Sequence, residues 1–496
     1  MADSLDPVSD LAMPYPQPFY YLEHHATERA QATALSSFAR YFTSAEAYAY
    51  ATSIAALLRR RGVRAGDVVA TQVRNEFNLL FMYAVFHEAA IFAPVTTAVH
   101  DSDPVGFNWL VSHQVLDTFS SDRTILVDDA FLAEVARQRF ADAPLAYESF
   151  DSVCRLSFSS GTTGTPLAVS STVERHGRGA VSWMDSRPFF SLIRGFSGSG
   201  VKAAVSSIYQ GDVYICPGEP DENVTLAQRN FVSTLHGSPA QIAEFLDLLA
   251  RRDNRHVDIS TVQFIGSFLS ERLLQRIHDE LGASVTACYG SSEIGMVAMR
   301  EEVRDNPADV GRPFEHATIE IVDENHQPVL NGVEGIVRIK TTRRSTNYFR
   351  APDAVARTYH DGWFYPGDVG RFSPDGHLIL CGRTSDVINA GGVKFNAALL
   401  DDFLTTHDDV RDGAIIPILD ADGLDSYAAL VVVDEAFDLS TLIEPLRVAT
   451  GGVTPASIIR VGVITRNENG KVPRIALAER VNALLRHNSN ESADEQ

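Results

Sequence analysis

Leu156-Ser157-Phe158-Ser159-Ser160-Gly161-Thr162-Thr163-Gly164-Thr165-Pro166 runs from a β-type segment straight into a loop of small hydroxylated residues and glycines. Glycine lets the backbone approach an anion closely, and Ser/Thr hydroxyls together with loop amides donate hydrogen bonds to phosphate oxygens. The GxxxxGK[ST] spacing of a Walker loop is absent. By composition alone the same residues also read as a surface turn, so their meaning depends on what accompanies them.

Three further stretches accompany them. Ala287-Cys288-Tyr289-Gly290-Ser291-Ser292-Glu293 follows a predicted strand. Tyr289 is suited to stack on a base, Ser292 to reach a phosphate, and Glu293 to hold Mg²⁺ as a hard oxygen ligand. Trp363-Phe364-Tyr365-Pro366-Gly367-Asp368 presents a carboxylate suited to ribose hydroxyls, and Arg383 can pair with ribose or phosphate. Asn469-Gly470-Lys471-Val472-Pro473-Arg474 sets one lysine on a glycine-bearing loop, where a cation can stabilise charge developing in group transfer. Read singly, each is also an ordinary turn or ion pair.

The chain around these motifs has 496 residues, 45% hydrophobic and 21% charged, with a formal net charge of −22. That composition excludes a disordered chain, and the acidic balance argues against nucleic acid as a partner. Four scattered cysteines, Cys154, Cys216, Cys288 and Cys381, give neither a zinc site nor a disulfide framework. With no basic-then-apolar leader visible, a cytoplasmic protein is expected. The most apolar stretch, Leu79 to Val95, is interrupted by His87, Glu88 and Pro94, so no membrane span is expected.

Strands alternating with helices over the first part predict a parallel α/β sheet: a helix capped by Ser44 and stopped by Gly62, a Val68–Val73 strand, a helix from Asn75 to Ala90 and an Ile91–Val95 strand. A second set follows Leu156, with helices over Ala240–Arg251 (capped by Ser238-Pro239) and Glu271–Leu281. From Gly311 the pattern changes to short alternating strands with glycine turns, a β-barrel-like unit. A boundary near Gly382 divides an N-terminal domain, 1–382, from a small α+β C-terminal domain, 383–486, and a polar tail, 487–496.

In this order the motifs resemble the adenylate-forming superfamily of acyl-CoA synthetases, luciferases and peptide-synthetase adenylation domains, from about Phe42 to Arg486. The resemblance implies an α/β fold whose large N-terminal domain of sheet subdomains is followed by a mobile C-terminal lid. It implies a phosphate loop of Ser159, Ser160, Gly161, Thr162, Thr163 and Gly164, with Thr162 catalytic. Gly266, Ser267 and Phe268 match the loop against adenine, and Tyr289, Gly290, Ser291, Ser292 and Glu293 the adenine, α-phosphate and Mg²⁺ site. Asp368 and Arg383 match the ribose ligands, Ser385 the hinge, Gly391 and Gly392 the thiol tunnel. Lys471 matches the lysine that bridges carboxylate and α-phosphate. Phe196, Ser197, Gly198, Ala287 and Cys288 would line the acyl pocket. The implied reaction consumes ATP with Mg²⁺ to make an acyl-AMP, then passes the acyl group to a thiol, with CoA as co-substrate.

Departures from that pattern matter. Where relatives continue Pro-Lys-Gly, this chain reads Pro166-Leu167-Ala168, so one lysine near the phosphates is missing; losing a preorganised donor costs up to ~10²-fold in rate. Ser197 replaces a common histidine, Phe268 a proline and Ala287 a polar residue, which points to an unusual acyl pocket. Lys202 and Arg194 are basic residues that could meet an acidic substrate, and both also read as solvated charges. Alternatives stay open: a carrier protein acting in trans as acceptor, another oxyanion such as nitrite activated to diazotise an aromatic amine, or a nucleotide-binding relative without turnover.

Overall fold

The computed structural model describes residues 19–96, 99, 103–137, 143–159, 167–178, 188–195, 198–266, 269–342, 348–390, 393–407, 409–419, 424–466 and 472–482. The first six-stranded sheet has the order Thr124–Leu126, Trp109–Ser112, Val68–Gln72, Ile91–Pro94, Val153–Ser159, Leu167–Thr172. Its first five strands are parallel, and the last two, which flank the glycine-rich loop, are antiparallel. The helix Ser44–Arg61 is capped by Thr43, one residue earlier than expected. The Thr43 hydroxyl accepts from Glu46 N while Glu46 accepts from Thr43 N at 2.8 Å, a reciprocal capping box. Gly62 ends this helix at φ 109°, which a Cβ would oppose.

The second sheet runs Phe189–Ser191, Thr234–Gly237, Thr261–Ile265, Ser284–Ser291, Gly295–Arg300, Arg312–Pro313. The first four strands are parallel, and the turn after Ser291 reverses the chain into an antiparallel edge. Helices Pro239–Ala250 and Glu271–Leu281 bury Ile242, Phe245, Leu246 and Ile277 in one core with Leu235, Val262 and Val285. Ser238 caps the first of these helices in a box with Gln241, and Pro239 opens it. A third, wholly antiparallel sheet follows, made of Ala317–Val322, Gly335–Thr341, Tyr359–His360, Trp363–Phe364, Asp368–Phe372 and Leu378–Arg383.

Beyond Arg383 the chain makes the hairpin Val387–Ala390/Val393–Asn396, then a sheet of Asp412–Leu419, Asp425–Val432 and Ser457–Arg460 with the helix Ala397–Thr405 packed on it. This region has its own apolar clusters, one around Leu400, Leu404, Ile415 and Tyr427, another around Ile416, Ile464 and Leu477. Truncating such a leucine costs about 2–5 kcal/mol, enough to decide whether a unit of this size stays folded. The last helix is described from residue 474 to 482. Among the described residues no helix is long and apolar enough to cross a membrane.

Candidate active site

The tips of the second and third sheets meet at a buried carboxylate. Asp368 opens its strand directly opposite Arg383 in the antiparallel register, so Arg383 Nε donates to Asp368 Oδ1 at 2.8 Å. Tyr289 arrives from the second sheet and donates its phenol to Asp368 Oδ2 at 2.6 Å. Asp368 and Tyr289 are each 8% exposed. Burial, then the Asp368 charge, pushes the phenol well above its usual range, so Tyr289 stays a donor. A carboxylate fixed in this way, beside an aromatic ring, suits the diol and base of a nucleoside.

Four residues beyond Tyr289 the chain turns, and Glu293 is buried against Tyr348, whose hydroxyl donates to Glu293 Oε1 at 3.1 Å. Arg175 Nη2 donates to the Ser292 carbonyl at 2.7 Å and anchors the same turn. Gly290 is required here, because a Cβ would meet Gly295 O at 2.1 Å. Ser291 Oγ is buried without a hydrogen-bond partner. The helix Gly198–Gln210 starts against this turn, where a Cβ on Gly198 would meet Ser292 Oγ at 2.7 Å. Gly266 follows its strand at φ 96° and lines the same cleft. Among the described residues no cluster of three His, Cys, Asp or Glu could hold a metal. Mg²⁺ takes one or two carboxylates and fills its shell with substrate phosphates and water. Glu293 and the orphaned Ser291 hydroxyl fit that donor set.

The cleft has a volume of about 3550 Å³ and lies between these tips and the C-terminal region. That exceeds the ~300–1,000 Å³ of a site for one small ligand, leaving room for a nucleotide and an acid together. Cys288 lines it, with burial holding the thiol protonated at a pKa of about 12. Ala287 is fully buried in the core cluster with Val285 and Phe264. Lys202 lines the cleft, whereas Arg194 is at the surface, 3.0 Å from Glu219.

From the C-terminal side, Ser385 is exposed in a short 3₁₀ turn, Thr384–Asp386. Arg474, three residues after Lys471, donates to Asp401 Oδ2 at 2.6 Å and to the Ile415 carbonyl at 2.6 Å. Arg272 reaches across from the second sheet to the Thr405 carbonyl at 3.2 Å. Ser160, Gly161, Thr162, Thr163, Gly164, Phe196, Ser197, Ser267, Phe268, Gly391, Gly392 and Lys471 lie outside the described residues; Ser159 ends its strand. Tyr348, Arg175 and Arg155 are site residues that motif reading missed. Only Arg155 carried a signal, a charge inside an otherwise strand-like run.

The family model described as AMP-binding enzyme matches residues 22–349. Triostin synthetase I of Streptomyces triostinicus is 32% identical over 269 residues, 52% of this chain and 50% of that protein, so the match spans half its length. The 2-hydroxy-7-methoxy-5-methyl-1-naphthoate–CoA ligase of Streptomyces carzinostaticus is 26% identical over 448 residues, 84% of this chain and 75% of that one. Among solved structures, an anthranilate CoA ligase in complex with anthranoyl-AMP has a TM-score of 0.82 at 19% identity, covering 95% of this chain and 98% of the other.

Proposed function

The chain belongs to the AMP-binding enzyme family, and we propose that it activates a carboxylic acid with ATP, releasing pyrophosphate, and passes the acyl group from AMP to the thiol of CoA. The observation that carries this reading is the convergence of Tyr289 and Arg383 on the buried Asp368 carboxylate, with Glu293 four residues beyond Tyr289. Relatives named as acid–CoA ligases, such as the naphthoate ligase, support CoA as acceptor. In this reading Asp368 accepts from the ribose hydroxyls, Arg383 pairs with that carboxylate, and the Tyr289 ring lies against the base. Mg²⁺ held by Glu293 would supply charge neutralisation at the phosphates. Tyr348 holds the Glu293 carboxylate, and Arg175 fixes the turn that presents it.

The acid's own oxygen attacks the α-phosphorus, so the protein's task is positioning and charge stabilisation rather than proton removal. Lys471 bridges carboxylate and α-phosphate. Residues 383–486 act as a lid that turns about Ser385 between adenylation and thiol transfer, and Gly391 and Gly392 line the thiol's path. The separate apolar clusters beyond Ile388 and the exposure of Ser385 support that division.

The test is acid-dependent pyrophosphate exchange with the full chain, followed by acyl-CoA detection. Acid-dependent exchange with CoA thioester formation is expected. Exchange without any thioester would move the acceptor to a carrier protein or an amine. ATP binding without exchange for any acid or for nitrite would leave a nucleotide-binding relative.

A further inference from the structure

Arg155 sits in the strand that leads into the glycine-rich loop, yet its side chain turns into the cleft wall. Its Nη1 donates to Ser157 Oγ at 2.7 Å and its Nη2 to Ser171 Oγ at 3.1 Å. Its Nε is sealed from solvent with no acceptor. Among the described residues no carboxylate pairs with it, although Asp151 and Glu174 also line this wall. Burial, opposed by Cys154 and reinforced by the neighbouring cation Arg175, lowers the Arg155 pKa to about 10. Arg155 is half-buried, so its guanidinium has given up part of its hydration without a carboxylate among the described residues to compensate, while it still faces the cleft. Two serine hydroxyls, themselves 3% and 4% exposed, orient the group but do not neutralise it.

The same cleft is lined by Val201, Val205 and Tyr21, with Lys202 on the helix that also carries Val201. It therefore combines apolar side chains with cationic ones. The triphosphate is the less suitable partner. Arg155 precedes Ser159 by four strand residues, about 13 Å at the usual rise, and its guanidinium is held back by Ser157 and Ser171.

We propose that Arg155, oriented by Ser157 and Ser171, is an anion subsite at the inner end of the acid pocket, and that the activated acid carries a second anionic group such as a carboxylate. This rests on the adenylation reading above. The carboxylate at the outer end reacts at the α-phosphate, while the inner one receives the guanidinium N–H donors that the serines leave open. The acid is thereby held by both ends, at a length the pocket sets.

The experiment compares dicarboxylic acids, aliphatic and aryl, with their own monomethyl esters, which keep the shape and remove one charge. Pyrophosphate release is measured for the full chain and for Arg155→Met and Arg155→Lys, with calorimetric ATP binding and thermal unfolding alongside. The expected result is that a diacid exceeds its monoester in kcat/KM by about 10- to 100-fold. Arg155→Met should abolish that ratio through the acid's KM, and Arg155→Lys should keep part of it. Replacing an unpaired, half-buried charge by a hydrophobe should leave the melting temperature unchanged or raise it. Monoesters turning over as well as diacids would overturn the subsite and leave the ligase reading standing. A rise in the KM for ATP with acid preference unchanged would assign Arg155 to the triphosphate instead. A fall in melting temperature with both KM values unmoved would make it structural. Silence with every acid despite ATP binding would overturn the ligase reading and the subsite together.

Discussion

Tyr289 donates its phenolic hydrogen to Asp368 Oδ2 at 2.6 Å, so this oxygen already has a donor from the neighbouring sheet. The other oxygen is taken by Arg383 at 2.8 Å. The carboxylate is thus preorganised before any nucleotide arrives, and a ribose joins a network rather than building one.

Asp368→Asn should therefore raise the KM for ATP by about 10- to 100-fold, because it removes a charged acceptor and leaves Arg383 unpaired. Tyr289→Phe keeps the ring and frees one oxygen, so a loss below about 10-fold is expected. Pyrophosphate exchange at varied ATP separates the two; equal losses would mean that the hydroxyl, not the carboxylate, carries binding.

Glu293 and Tyr348 form the next pair. Glu293→Gln should cut the adenylation rate by about 10²- to 10³-fold in single turnover, comparable to losing a preorganised electrostatic group. Tyr348→Phe removes only the hydrogen bond that orients Glu293, and a loss of about 10-fold or less is expected. If Tyr348→Phe were the more damaging change, the hydroxyl itself would have to contact substrate.

Lys471→Ala should nearly abolish adenylation, while Ser385→Pro should slow thiol transfer and leave adenylation nearly intact. Measuring pyrophosphate exchange and acyl-CoA formation separately on each variant checks both roles. Equal loss of the two half-reactions in Ser385→Pro would remove Ser385 from the hinge.

The lid carries a pH dependence of its own. Burial, opposed by Arg474, holds the Asp401 carboxyl at about 6, and burial with the Asp401 charge raises Asp402 to about 7. Both values lie above the ordinary 3.8, so the folded chain binds these protons more tightly than the unfolded one. Their contribution to stability is present at low pH and is lost as pH rises through about 6 and about 7. Asp402→Asn should accordingly raise the melting temperature more at pH 8 than at pH 5. A larger gain at pH 5 would reverse the sign and the explanation.

Local signals made much of the fold legible. Ser238-Pro239 at one helix start and Gly62 at another helix end mark boundaries that the structure reproduces to within a residue or two. The Glu271–Leu281 helix is as read. The Ser44 cap was displaced to Thr43 because the box needs Glu46 three residues on, a spacing only Thr43 satisfies. Motif position puts Ala287 beside Cys288, but which neighbours enclose a strand residue is settled only when the helices pack. Tyr348 and Glu293 are 55 residues apart and meet only through tertiary structure. Arg155 is one charge in a strand; that no carboxylate among the described residues pairs with it is a property of the folded cleft.

The measurement that bears most directly on the central claim is AMP and acyl-CoA formation by the full chain from ATP, Mg²⁺ and a panel of acids, with and without CoA. Stoichiometric AMP, pyrophosphate and a CoA thioester from at least one acid is the expected result. Hydrolysis of ATP that no acid stimulates, or binding of ATP with no pyrophosphate released for any member of the panel, would contradict it.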